Sequence, residues 1–133
     1  MHLKEVVPWQ IHTDYKRTYD SDYQDPPGLA VLIPLKVVAP ESQTTHTIVF
    51  NECCETDFPD YVAHNPHLEV HAGNIHQEHC SHIAPENLKY VSLHGAYPWK
   101  PGSLIFWDRK LLHSSDNFLK NSITEKQALV LFC

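Results

Sequence analysis

Proline is the feature that most limits how this chain can fold. Ten prolines occur in 133 residues, against four glycines. Each proline fixes φ and lacks a backbone N–H, so a helix that meets one is kinked or ends. Only the short stretch Pro85–Leu88 is expected to be helical, with its proline in the first turn. The sequence therefore favours a protein built from strands and loops.

Seven segments have the composition and periodicity of strands, being rich in β-branched and aromatic residues and bounded by turn residues. Pro34 indicates an edge or a bulge in the second of them, and Pro101-Gly102 fits the centre of a type II turn. This number of short strands in one small domain predicts an all-β sandwich or barrel. The predicted strands are residues 6–13, 29–38, 44–52, 89–97, 103–107, 110–114 and 127–133.

Composition limits the partners and the compartment. Ten Lys and Arg against sixteen Asp and Glu give a net charge of −6, the wrong sign for binding nucleic acid through its phosphates. The longest apolar run, GLAVLIPL, is far shorter than the roughly 18 residues of a membrane helix. No signal-peptide pattern is evident, and four cysteines are expected as reduced thiols. We expect one cytoplasmic domain spanning residues 1–133.

The clearest chemical signal is the pair His12 and Asp14, two residues apart in the segment IHTDY. In a strand such residues point to the same side, so an imidazole and a carboxylate can bind one divalent metal together. His113, near the end of a later strand in PGSLIFWDRKLLHSSDNF, is a candidate third ligand. Two histidines and one carboxylate form the facial triad of non-haem Fe(II) oxygenases, which leaves coordination positions open.

The order of these motifs resembles the Fe(II)- and 2-oxoglutarate-dependent dioxygenases, particularly the phytanoyl-CoA-hydroxylase-like branch. The resemblance covers nearly the whole chain from His12 onward. It implies a double-stranded β-helix, or jelly roll, with iron held by His12, Asp14 and His113 in its open mouth. It also implies O₂-dependent hydroxylation of a C–H bond, with release of succinate and CO₂. The substrate, a small molecule or a side chain, is not indicated.

The resemblance further implies a cation on the last strand for the far carboxylate of 2-oxoglutarate. Lys126, at the start of KQALVLF, is the first candidate, and Arg109 is its rival. Thr47 and Asn51 could hydrogen-bond the cosubstrate or be ordinary polar strand positions. If Lys126 has no such role, a cupin-like metalloprotein that does not use 2-oxoglutarate is the alternative. A non-catalytic β-sandwich binding module is the third interpretation.

Residues 53–85 form a polar, histidine-rich segment. Their spacing fits no ordered zinc pattern, so we expect a loop or lid over the metal rather than a second metal site. Its candidate ligands are His64, His67, His71, His76, His79, Cys80 and His82.

Aromatic residues surround the motifs. Tyr15, Tyr19 and Tyr23 follow the first motif and could line a pocket or simply pack, whereas Trp99 and Trp107 are expected in the core.

Only eleven residues precede His12, whereas members of the family that the chain resembles carry bracing helices before this strand. Without such helices a face of the sheet would be left exposed, and this would favour a homo-oligomer.

Overall fold

The computed structural model describes residues 1–15, 28–53, 56 and 68–133, the last range with backbone alone for 68–70. No membrane-spanning helix, by length and apolar character, is present in these ranges. The strands are β1 (His2–Glu5), β2 (Leu29–Val38), β3 (His46–Cys53), β4 (Leu93–Pro98), β5 (Ile105–Asp108), β6 (Leu111–Ser115) and β7 (Glu125–Phe132). The helices are α1 (Leu68–Glu78), α2 (Pro85–Leu88) and a 3₁₀ turn (Phe118–Asn121).

Two antiparallel sheets form the body of the fold. Sheet A has the strand order β1-β7-β2-β5, and sheet B has the order β4-β3-β6. Consecutive strands mostly change sheet, since β2 is followed by β3 and β4 by β5 across the fold. The prediction of an all-β fold is therefore confirmed at the level of two packed sheets.

A hydrophobic core fills the space between the sheets. Both predicted core tryptophans, Trp99 and Trp107, are buried there. Alternation along β7 turns Ala128 and Val130 inward and leaves Leu129 and Leu131 exposed on the outer face of sheet A. The buried members of this core are Ala30, Leu32, Val49, Trp99, Ile105, Trp107, Ala128 and Val130.

The outer face of sheet B is covered by the helical segment. Ala72 and Ile75 of α1 pack with Ile48 and Phe50 of β3, which are fully buried. This corrects the expectation of a loop or lid within residues 53–85, because the described part from residue 68 onward forms helices integrated into a core. Residues 54–55 and 57–67, including His64 and His67, lie outside the described residues.

The first predicted strand is displaced. Pairing occurs at His2–Glu5 rather than along residues 6–13, of which His12 alone pairs with another strand. Pro8 explains the interruption, because it has no N–H to donate to a neighbouring strand. The strand predicted over 89–97 begins later, at Leu93.

Two local predictions from proline are confirmed. The pairing of β2 with β7 shifts register between Pro34 and Lys36, as expected for a bulge. At the predicted turn, the N–H of Ser103 donates to the Lys100 carbonyl at 2.9 Å, and Gly102 has a φ of 81°. These are the features of a type II turn, in which glycine accepts the positive φ.

Candidate metal centre

His12 and His113 are brought together by a short bridge between two chain segments. The His12 N–H donates to the His113 carbonyl at 3.0 Å, and the His113 N–H donates to the His12 carbonyl at 2.9 Å. This antiparallel bridge places the residue 12 segment beside β6, so that sheet B is extended at that edge. The two imidazole rings lie 4.3 Å apart, centroid to centroid.

Backbone carbonyls orient both imidazoles. His12 Nδ1 lies 2.8 Å from the Gln10 carbonyl oxygen, and His113 Nδ1 lies 3.1 Å from that of Leu111. A carbonyl oxygen can only accept, so each Nδ1 carries the proton and donates it. When the imidazole is neutral, its Nε2 is thereby left with the lone pair that a metal requires.

Asp14 completes the group. Its Oδ2 lies 3.2 Å from His113 Nε2, and the ligand atoms of His12, Asp14 and His113 all lie within 4.8 Å of one another. A carboxylate oxygen facing an imidazole lone pair at this distance needs a cation between them, either a proton or a metal ion. Within the described ranges, no other group of three His, Cys, Asp or Glu side chains converges in this way.

The electrostatics of the site favour the metal-binding forms. Burial lowers the pKa of His12, and the neighbouring His113 lowers it further. Burial acts to raise the pKa of the Asp14 carboxyl, but the hydrogen bond and charge of His113, with His12 and Arg109, outweigh it and lower that pKa. A neutral imidazole and an ionised carboxylate are the states that metal binding needs.

An open cavity of about 490 Å³, solvent included, lies over the three residues. Trp107 and His113 are in ring contact at 4.8 Å, and Trp9 and His12 at 5.0 Å. Each imidazole of the site is therefore in contact with a tryptophan ring. The lining residues are Met1, Leu3, Glu5, Trp9, His12, Asp14, Leu32, Thr47, Trp107, His113, Ser114, Ser115, Val130 and Phe132.

Lys126 lies beside Glu5, a residue that lines the cavity. Its side chain is fully buried, and its Nζ lies 3.4 Å from Glu5 Oε2 and 4.1 Å from the centroid of the Trp99 ring. Burial lowers the pKa of this lysine, whereas the charge of Glu5 acts to raise it. The predicted cosubstrate cation does not line the cavity itself, but it faces an acidic side chain, Glu5, that does.

The two other residues predicted to bind the cosubstrate, Thr47 and Asn51, lie in different environments. Thr47 lines the cavity, and its hydroxyl accepts a hydrogen bond from Trp99 Nε1 at 2.8 Å. Asn51 is exposed and donates to Ser92 Oγ at 3.0 Å, outside the cavity lining. A register irregularity in β3 lies between the two residues, so their even spacing does not place them on one face of the strand.

Arg109, the alternative candidate for binding the cosubstrate, does not line the cavity and instead contacts the segment that contains Asp14. Its Nη2 donates to the Asp14 carbonyl at 3.2 Å, and its guanidinium lies 4.6 Å from the Phe132 ring centroid. Tyr15 is buried beneath Lys110 and does not line the cavity, whereas Tyr19 and Tyr23 lie outside the described residues.

Sequence reasoning did not identify Glu5, Ser115 or Trp107 as site residues. Glu5 and Lys126 are directly opposite in the pairing of β1 with β7, a register that local sequence patterns do not reveal. Trp107 was expected only as core, although its position in β5 also brings it against His113. Ser115 could have been found, since it lies two residues after His113 on the same side of β6.

Comparison with known proteins identifies no relative. No family model matches the chain, and neither a curated protein nor a solved structure is similar to it.

Proposed function

We propose that this chain is a non-haem Fe(II)- and 2-oxoglutarate-dependent oxygenase that hydroxylates a C–H bond of a small molecule or a side chain. The observation that carries the proposal is the convergence of His12, Asp14 and His113, whose ligand atoms lie within 4.8 Å of one another beside an open cavity. Two imidazoles and one carboxylate on one side of a metal are the donor set of such oxygenases.

We further propose that the two sheets form a jelly roll. With the segment of His12 counted beside β6, sheet B gains a fourth strand position, matching the four strands of sheet A. Eight strands in two sheets are the jelly-roll number. In this arrangement the ligands come from adjacent strand positions at one end of the sandwich.

The chain's residues have distinct tasks in this proposal. His12, Asp14 and His113 hold the metal, and the carbonyls of Gln10 and Leu111 maintain the ligand tautomers. When bound, Fe(II) and 2-oxoglutarate supply the activation of O₂ that hydroxylation requires. Trp9 and Trp107 limit water at the ligands, which protects a reactive site from side reactions. Thr47 has a hydroxyl proton to offer toward the cavity, because its oxygen already accepts from Trp99.

The test is an anaerobic titration with Fe(II) and then 2-oxoglutarate, followed by visible absorption. A weak charge-transfer band is expected in the wild-type protein and should be absent from His113→Ala. The matched control is His94→Ala, because His94 is an exposed histidine on β4. Absence of iron binding would contradict the proposal and favour a non-catalytic binding module.

A cupin-like metalloprotein that does not use 2-oxoglutarate is the second candidate. It is favoured by one contact, the ion pair in which Lys126 already faces Glu5. Stoichiometric iron binding with no band on addition of 2-oxoglutarate would support it over the oxygenase.

A further inference from the structure

Glu5 and Lys126 form a buried ion pair at the edge of the metal cavity. They are opposite each other in the pairing of β1 with β7, so their side chains share the inner face of sheet A. Glu5 is 6% exposed, and its Oε2 accepts a hydrogen bond from Ser115 Oγ at 2.6 Å. The same oxygen lies 3.4 Å from Lys126 Nζ.

The surroundings of Lys126 make it dependent on a carboxylate. Its Nζ lies over the faces of Trp99 and Phe118, at 4.1 and 4.9 Å from the ring centroids. Within the described residues it forms no hydrogen bond of good geometry, and Glu5 is its ion-pair partner. A buried ammonium is costly unless an opposite charge compensates it.

Glu5 also lines the cavity that is lined by the three candidate metal ligands. It lines this cavity together with Ser115 and Thr47, and its charge is the smallest of the influences on the pKa of His12, which it acts to raise. A ligand that binds the metal at one end and carries a carboxylate at the other would therefore meet the Glu5 carboxylate at the position nearest Lys126.

We propose that Glu5 is an internal occupant of a carboxylate subsite formed by Lys126 and Ser115, and that a dicarboxylate cosubstrate binds there only by displacing it. This role rests on the proposed function for the identity of the cosubstrate, whereas the subsite itself requires only the contacts described. Glu5 thereby weakens dicarboxylate binding and sets which acids the cavity accepts.

The position of Glu5 in the fold suits displacement. It is the last residue of β1, an edge strand whose single partner among the described strands is β7. The next residues, Val6 and Val7, are about half exposed or more, at 52% and 61%. A movement of Glu5 would therefore involve the end of an edge strand and not the middle of a sheet.

The first test measures the affinity for 2-oxoglutarate of the Fe(II)-loaded protein without O₂. Glu5→Gln keeps the shape of the side chain and removes its charge, and Lys4→Gln on the same strand is the control. We expect the Kd for 2-oxoglutarate to fall at least about ten-fold in Glu5→Gln, equivalent to about 1.4 kcal/mol. The Kd for pyruvate, which lacks the second carboxylate, should differ far less between the wild type and Glu5→Gln. Equal 2-oxoglutarate affinity in the wild type and Glu5→Gln would overturn the proposal.

The second test needs no metal. Thermal unfolding of Glu5→Ala is followed with sodium formate or sodium chloride at equal ionic strength. Formate is expected to raise the melting temperature of Glu5→Ala by about 3–5 °C, a shift of the order that 1 kcal/mol produces in a domain of this size. The wild type and the double variant Glu5→Ala/Lys126→Met should not respond.

The two tests separate the inference from the proposed function. A charge-transfer band absent from every protein, including the wild type, would refute the oxygenase proposal, and the formate response would then decide the subsite alone. Failure of formate to stabilise Glu5→Ala would overturn the subsite even if the band forms.

Discussion

His12 and His113 are joined by two reciprocal main-chain hydrogen bonds, of 3.0 and 2.9 Å, and in each ring Nδ1 faces a backbone carbonyl, while His113 Nε2 lies 3.2 Å from Asp14 Oδ2. The same contact therefore extends the edge of sheet B and brings together two candidate metal ligands. If a metal binds here as proposed, its binding is coupled to folding of this edge, because the candidate ligands are far apart in the unfolded chain.

Metal binding should stabilise the protein, and Asp14→Ala should abolish this effect. Fe(II) supplied without O₂ at 100 times its Kd is expected to add about 2.7 kcal/mol to the free energy of unfolding of the wild type. Urea denaturation with Fe(II) or with a chelator measures it. His94→Ala should retain the full increase, and an unchanged increase in Asp14→Ala would show that this carboxylate is not a ligand.

The metal-free protein should lose stability as the pH falls through 6.5, in part because of His12. Burial lowers the pKa of His12 in the folded state, so below pH 6.5 the unfolded chain takes up a proton that the folded protein does not. His12→Gln removes this contribution, which for one proton cannot exceed about 1.4 kcal/mol per pH unit. The free energy of unfolding between pH 7 and 5.5 should fall less steeply in this variant. An equal dependence of the free energy of unfolding on pH in the wild type and in His12→Gln would contradict this role of His12.

Thr47→Val should destabilise the protein by about 1–3 kcal/mol, because Trp99 Nε1 would lose its acceptor in the core. Thr44→Val, at an exposed position before β3, is the control and should change little. Urea denaturation followed by tryptophan fluorescence measures both. In a Trp99→Phe background, the cost of Thr47→Val should largely disappear, and a fully additive result would argue against the hydrogen bond.

Ile75→Ala should lower the free energy of unfolding by about 2–5 kcal/mol, since Ile75 of α1 is 4% exposed in the core beside sheet B. Asn74→Ala, on the exposed side of the same helix, should stay within about 0.5 kcal/mol of the wild type. Equal small effects of both substitutions would mean that Ile75 does not contribute to a packed core.

Strands and turns were predictable where their signals are local. The bounds of β2 and α2 follow from an apolar run and from a proline at a helix start, and both agree with the structure. Helix α1 could not be recognised in this way, because it is rich in polar residues and contains Gly73, which disfavours helix. Its stability comes from packing Ala72 and Ile75 against β3, a contact that no local pattern contains.

The sequence by itself determined the ligand candidates His12, Asp14 and His113, since their residue types and the two-residue spacing of His12 and Asp14 are local properties. Only the tertiary structure decided how the cations are used. Lys126 meets Glu5 because β1 pairs with β7 in one register, and Asn51 leaves the cavity because β3 changes register beyond Val49. Both outcomes depend on pairing between segments distant in the chain, where side-chain packing selects the register and spacing along the chain does not.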